Sequence, residues 1–376
     1  MLAAIAAVDS FSYALVLPVL PFELRSMGAG AVLVAAVFAA FSACQFVAAP
    51  VLGRASDRWG RRRVLLVSQA GTLAGFVVLF LARSPGQVLA ARVIDGATAG
   101  NLAVVYATLC DLYAAEERAP RFAMLNTAAG IGILAGLGVC AALTTRGFAT
   151  LAAVAASAAL VTIAGSLVVT FPPPSGAVDR ARWGRLLIGA PVSLRRSGMV
   201  VVAVQVHLGA FAVTLPALLH ATIDASARSG IVVAAVGLVV GIAAQVTAGV
   251  RLNRRLGDRL AAAAALGGVE AGVLLLGVGT GRGPLVGLVL SGAGAALVAA
   301  GLLSALTATS WLSTSAALGA GLLMGLSQAL ASVGQLIGPA LGFVALAAAS
   351  WVLLGLLASL GVVGIAACRP LRRTVS

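Results

Sequence analysis

Long apolar runs, broken at short intervals by glycine, proline and arginine, set the pattern of this chain. A run of about twenty apolar residues is long enough to cross a bilayer as a helix. Taken in order, such runs predict spans at 2–24, 31–52, 64–82, 86–110 and 123–143, and a sixth ending near Phe171. Pro172, Pro173 and Pro174 stop the sixth, and a polar stretch leads to about Gly198. Further runs include a seventh span at 199–220, a ninth at 260–279 and an eleventh around Gly334, Gly338, Pro339 and Gly342. That glycine spacing favours close helix packing, and Pro339 can bend the eleventh span.

The most polar window of the first half, Gly53 to Arg63, lies between two of these runs. A degenerate copy runs from Gly249 to Arg259, with Asn253 in place of Asp57 and one extra residue before the second glycine. Two related loops predict two similar halves: a six-helix bundle at 1–171, a linker at 172–198, and a second six-helix bundle at 199–376.

Composition agrees with lipid as the main solvent. The chain is 61% hydrophobic and 10% charged, against roughly 45–50% and about 25% for soluble domains. Its 376 residues accommodate twelve spans with short loops. The expected class is an all-α integral membrane protein with twelve transmembrane helices in two pseudo-symmetric bundles.

The net charge of +14 is carried wholly by arginine, and it follows loop parity. Arg54, Arg58, Arg61, Arg62 and Arg63 follow span two, Arg118 and Arg121 follow span four, and further clusters fall at 180–196, 251–259 and 369–373. Opposite loops hold one arginine each: Arg25, Arg83, Arg146, Arg228 and Arg282. By the positive-inside rule both termini are cytoplasmic, and the basic charge orients the chain; no nucleic-acid partner is expected. Cys44, Cys110, Cys140 and Cys368 stand singly, without metal or redox spacing. The first run begins at Met1 without a basic start or cleavage site, so it is expected to be retained as a span.

Against this background the intramembrane polar residues are the candidate chemistry. Span one carries Asp9, followed by Tyr13 and Pro18-Val19-Leu20-Pro21. A carboxylate several residues inside a membrane helix is costly and reads as functional, although Asp9 can also reach toward the nearby surface. Span four carries Arg92 and Asp95, three apart on one face. They either neutralise one another or form a site in which Arg92 tunes a proton-carrying carboxylate. Gln45, Asn101, Gln205, His207, Gln328 and Gln335 join Tyr13 as candidate cavity groups, and Glu270 in span nine is a second candidate proton site. A lone histidine such as His207 can serve a relay or simply pack.

The run Gly53-x-x-x-Asp57-Arg58-x-Gly60-Arg61-Arg62 resembles the signature loop between helices two and three of the major facilitator superfamily. Arg92 through Phe122, with Asp9 upstream of Pro18 and Pro21, is similar to the corresponding region of tetracycline/proton antiporters and related drug exporters. The resemblance covers most of the first half and is thinner in the second. It implies that Gly53, Asp57, Arg58, Gly60, Arg61 and Arg62 latch the cytoplasmic side, with the aspartate near the start of helix eleven. It also implies an acid in helix nine, where Glu270 falls. Span five departs from the exporters' pattern: Gly132 and Gly136 are followed by Leu137 where a proline is usual.

No nucleotide-binding loop is possible without lysine, no nucleophile or paired-acid spacing suggests an enzyme, and no cofactor or metal is expected. The reading is a proton-coupled antiporter, monomeric in a bacterial inner membrane, exporting small amphipathic or lipophilic compounds by alternating access. Proton coupling is assigned to Asp9, Arg92, Asp95 and Glu270. An apolar cavity with few polar groups suits such compounds better than sugars. The alternatives are a proton-coupled importer, a narrow-substrate natural-product exporter, and a non-transporting membrane sensor.

Overall fold

The computed structural model describes residues 1–172, 198, 199, 201, 202, 205, 206 and 320–347. Among them every regular element is helical: α1 (Leu2–Val16), α2 (Leu20–Ser26), α3 (Ala31–Trp59), α4 (Arg61–Leu81), α5 (Pro85–Ala97), α6 (Asn101–Leu112), α7 (Ala115–Leu143), α8 (Phe148–Val168) and α9 (Ala320–Ala347), with a 3₁₀ turn at Thr144–Arg146. Seven stretches of these residues are long and apolar enough to cross a membrane. Six match the predicted first-half spans, and α9 covers the predicted eleventh. Apart from Met199, Val201, Val202, Gln205 and Val206 of the seventh, the remaining predicted spans, and with them His207, Glu270 and the Gly249–Arg259 copy, lie outside the described residues.

Four boundaries differ from the sequence expectation, each for a local reason. Span one is interrupted at Leu17–Val19, because neither Pro18 nor Pro21 offers an N–H to continue the helix. Span four is interrupted at Thr98–Gly100. The Thr98 hydroxyl there donates to the carbonyls of Ile94 and Asp95, and Gly96 and Gly100 give the helix little propensity to resist the break. The signature stretch is helical up to Trp59, so the loop shrinks to Gly60, whose φ of 95° suits glycine. Finally, α7 starts at Ala115, eight residues before the predicted span, because the polar run 115–122 continues the helix beyond the apolar stretch.

Apolar helices gain little from hydrophobicity alone in lipid, so small residues set the closest approaches. A Cβ on Gly132 or Gly136 would overlap the carbonyls of Ala7 or Phe11, which brings α7 onto α1. A Cβ on Gly53 would overlap the carbonyl of Gly321, and one on Gly325 that of Ala49, which brings α9 onto α3. Gly334 in turn faces Val202 and Gln205.

Two apolar clusters result, stacked along the helices. One, at the arginine-rich end, joins Leu65, the run Ala103–Cys110, Phe122 and Leu125 to Val201, Leu323 and Met324. The other, toward the opposite end, joins Leu15, Leu20, Val37, Phe76, Val88 and Leu151. The first draws on both predicted halves; the second, among the described residues, draws on the first half alone. Between the two clusters lies a polar layer with Ser12, Gln45, Thr72, Arg92 and Asp95.

Candidate functional site

Glycine contacts place the centre of the polar layer. A Cβ on Gly96 would lie 2.6 Å from the Phe41 carbonyl and 2.9 Å from the Cys44 Cβ, so α5 sits hard against α3. One turn earlier on α5, the Arg92 guanidinium then stacks 4.1 Å from the Phe41 ring centroid and 5.3 Å from that of Tyr13. Its Nη1 donates to Asp95 Oδ2 at 2.8 Å, and its Nη2 to the Tyr13 hydroxyl at 2.7 Å. On the other side, a Cβ on Gly75 would lie 3.1 Å from the Asp95 Cβ, so α4 closes over this carboxylate. Thr72 on α4 donates to Asp95 Oδ1 at 3.1 Å. Asp95 therefore has both oxygens bound and is 5% exposed; Arg92 is 3% exposed. An ion pair held this way is neutral as a unit, and the guanidinium gains further from the two ring faces.

Asp9 is the other half of the layer. It is only half-buried, and its Oδ1 accepts from Asn101 Nδ2 at 3.0 Å. Asn101 opens α6 immediately after the break in span four, so the carboxylate lies by the positive end of a half-helix. No direct Asp9–Arg92 bond forms. Tyr13, one turn beyond Asp9 on α1, occupies the Arg92 side of that gap. Arg92, Asp95, Tyr13, Asn101 and Asp9 are thus gathered on spans one and four. Gln45 lies beyond them on α3, where its Oε1 accepts from the Ser332 hydroxyl of α9 at 2.7 Å.

At the arginine-rich end the signature residues form a second assembly. Asp57, 3% exposed, accepts the backbone N–H of Gly321 on Oδ1 and of Leu322 on Oδ2, both at 2.8 Å. These are orphan donors in the first turn of α9, where a carboxylate is favoured. Arg61, across the one-residue turn at Gly60, pairs with Asp57 at 2.7 Å, donates from Nε to Asp111 Oδ2 at 2.7 Å, and donates from Nη1 to Ser56 Oγ. Arg58 is exposed, and Arg62 donates to the Leu167 carbonyl. Gly53 provides the close approach to α9.

Gln205 is half-buried against Gly334, the Gln328 carbonyl accepts from Ser332, and Gln335 is half-buried beside exposed Leu336. Several participants escaped sequence reasoning: Thr72, Phe41, Ser56, Asp111, Ser332, and the Tyr106 hydroxyl donating to Asn126 Oδ1. Hydroxyl and aromatic residues are common in membrane helices, so no linear signal separates these from packing. Among the described residues no His/Cys/Asp/Glu group of metal-binding size occurs.

Residues 2–320 match the family model of the Major Facilitator Superfamily. The tetracycline resistance protein of class C from Escherichia coli is 34% identical over 131 residues, covering 34% of this chain and 33% of that relative. The class D protein from Salmonella ordonez is 35% identical over 135 residues, covering 35% and 34%. These matches span about a third of each relative's length. Among solved structures, the human organic anion transporter TETRAN superposes with a TM-score of 0.81 at 23% identity over 98% of both chains. The E. coli fucose:proton symporter does so with 0.78 at 15% identity, covering 98% of this chain and 97% of that one. At such identities the superpositions establish the fold. With the family model matching most of its length, and the helices, polar layer and glycine crossings arranged as described, this chain belongs to the Major Facilitator Superfamily and has its fold.

Proposed function

We propose that the chain is a proton-coupled antiporter that exports small amphipathic or lipophilic compounds, antibiotics among them, across a bacterial inner membrane with both termini in the cytoplasm. The observation that carries this reading is the placing of a partly buried carboxylate, Asp9, beside a fully buried ion pair, Arg92–Asp95, inside one membrane layer. Intramembrane ionisable groups are retained where protons or substrates pass. Asp9 is the group accessible enough to exchange a proton. Arg92 and Asp95 set its surroundings, and Glu270 is the candidate acid of the second half.

Among the described residues the remaining polar groups of the layer are few, which suits a ligand with little hydrogen-bonding demand. The similarity to tetracycline resistance proteins, over about a third of the chain, supports an antibiotic as one substrate. Asp57 and its neighbours are assigned to holding the arginine-rich, cytoplasmic end closed in one of the two alternating states. The apolar cluster shared by both halves at that end favours this assignment. The protein is expected to work as a monomer, with no cofactor.

A narrower substrate range, or import, is the second reading. It is favoured by α7, which approaches α1 through Gly132 and Gly136 and carries no proline after them.

The test is accumulation of tetracycline and of a fluorescent cationic dye in an efflux-deficient bacterium expressing the chain. Wild type is expected to lower accumulation. Asp9→Asn, or a protonophore added to wild type, is expected to abolish the effect. Equal accumulation in all three, with protein verified in the membrane, would remove these compounds and shift the question to uptake.

A further inference from the structure

The break between α5 and α6 is lined by polar atoms that have no protein partner. The Ser68 hydroxyl on α4 lies 3.0 Å from where a Cβ on Gly100 would stand, directly against the break. Ser68 is fully buried, and its oxygen makes no hydrogen bond within the protein. The next residue, Gln69, is 1% exposed and has neither amide atom bonded. On the far side of the break, Asn101 gives its Nδ2 to Asp9, while its buried Oδ1 has no protein partner. The first-turn N–H groups of α6 add donors that no preceding helical turn can take up. One turn from Ser68 on the same helix, Thr72 holds Asp95.

Buried polar atoms are nearly always hydrogen-bonded, and internal water supplies the bond where protein does not. The Ser68 hydroxyl, the Asn101 amide oxygen and the first-turn N–H groups of α6 at the break provide the two to four polar partners that such water needs, with the unbonded Gln69 amide next to Ser68 on α4. The site also lies between two carboxylates that share no direct bond. Asp9 is on α1 and faces Asn101; Asp95 is on α5 and faces Arg92 and Thr72; Tyr13 is the further titratable group in contact.

We infer that Ser68, Gln69 and Asn101 hold internal water at the break in span four, and that this water passes protons between Asp9 and Asp95. A proton leaving Asp9 enters the hydrogen-bonded water, which releases another to the Asp95 carboxylate. Protonated Asp95 no longer neutralises Arg92, so loading of the half-exposed acid is reported to the buried ion pair. Ser68 and Gln69 are positioning residues in this scheme, acting through water. Its role in coupling rests on the antiport reading; the water site itself does not.

The experiment is infrared difference spectroscopy of the full-length protein in lipid nanodiscs across a pH titration, in ordinary and ¹⁸O-labelled water. Wild type is expected to show an ¹⁸O-sensitive water band that changes together with the carboxyl bands. Ser68→Ala with Gln69→Leu should lose that band, and Ser68→Thr should keep it. If the double variant does not fold, Ser68→Ala alone carries the comparison. A wild type without the band, or a folded variant that retains it, overturns the site. In everted vesicles with tetracycline and the dye as probes, the variant should lose proton-driven transport by about a hundredfold while downhill exchange persists. Unchanged proton-driven transport overturns the relay. A wild type that moves neither probe removes the antiport reading and the coupling role with it, while the infrared result is read without any substrate.

Discussion

The Asp57 carboxylate and the Gly321 N–H, 264 positions apart in sequence, meet at 2.8 Å at the arginine-rich end and tie α3 to the start of α9. The second oxygen takes the Leu322 N–H, and Arg61 holds the same carboxylate from behind. Charge at a helix N-terminus contributes about 0.3–1 kcal/mol, and up to about 2 kcal/mol when partly buried.

Asp57→Asn keeps the shape but loses the charge. It is therefore expected to shift the equilibrium away from the closed arrangement by roughly two- to thirtyfold. Labelling of a cysteine placed at Ser56 with a membrane-impermeant maleimide would read this as faster modification. Labelling at the wild-type rate would show that the bond does not govern closure.

Sterics at the same crossing give a sharper prediction. A Cβ at Gly53 has no room beside the Gly321 carbonyl. Gly53→Val should abolish transport while leaving membrane insertion intact, and crosslinking between α3 and α9 should fail. Normal crosslinking in that variant would contradict the close approach.

The Arg92–Asp95 pair separates stability from function. Removing one member of a buried pair costs about 3–5 kcal/mol, because the other charge is left uncompensated. Asp95→Leu should therefore lower the thermal midpoint of the purified protein markedly. The double variant Arg92→Met/Asp95→Leu should recover much of that loss without recovering proton-driven transport. A double variant as unstable as the single one would mean that the pair is not self-contained.

Arg92→Lys keeps the charge but not the fork that reaches Asp95 and Tyr13 together, nor the flat stacking on Phe41. It should reduce transport far more than Tyr13→Phe, which removes a single hydrogen bond worth about 1 kcal/mol. Rates of dye efflux for the two variants, normalised to expression, decide the order.

The spans were legible because bilayer thickness imposes a length that composition reveals. Asp9, Arg92 and Asp95 stood out for the same reason: a charge within an apolar run is visible without any structure. What could not be read was how those charges reach one another. The break at Thr98–Gly100 turns on a hydroxyl choosing its own helix's carbonyls, and on α4 fitting Gly71 against Thr98. Glycine and threonine occur throughout continuous membrane helices, so the pattern gave no warning. With span four read as one rod, Asn101 had no reason to meet Asp9, nor Tyr13 to meet Arg92. The bond from Gln45 to Ser332 depends on how α9 crosses α3, which local sequence does not encode.

The crossing of α3 and α9 is backbone against backbone, through Gly53 with Gly321 and Ala49 with Gly325. Such surfaces carry no knobs that must be lifted out of holes, so parting them forfeits little interlocking. On the proposed gating role, resistance to opening would come from the apolar side chains beside the seam, Leu323 and Met324 among them, and from polar bonds at fixed points at Asp57 and Gln45. A contact of this kind would act as a smooth hatch with discrete catches: water reaching those catches would be one of the steps that lets it open.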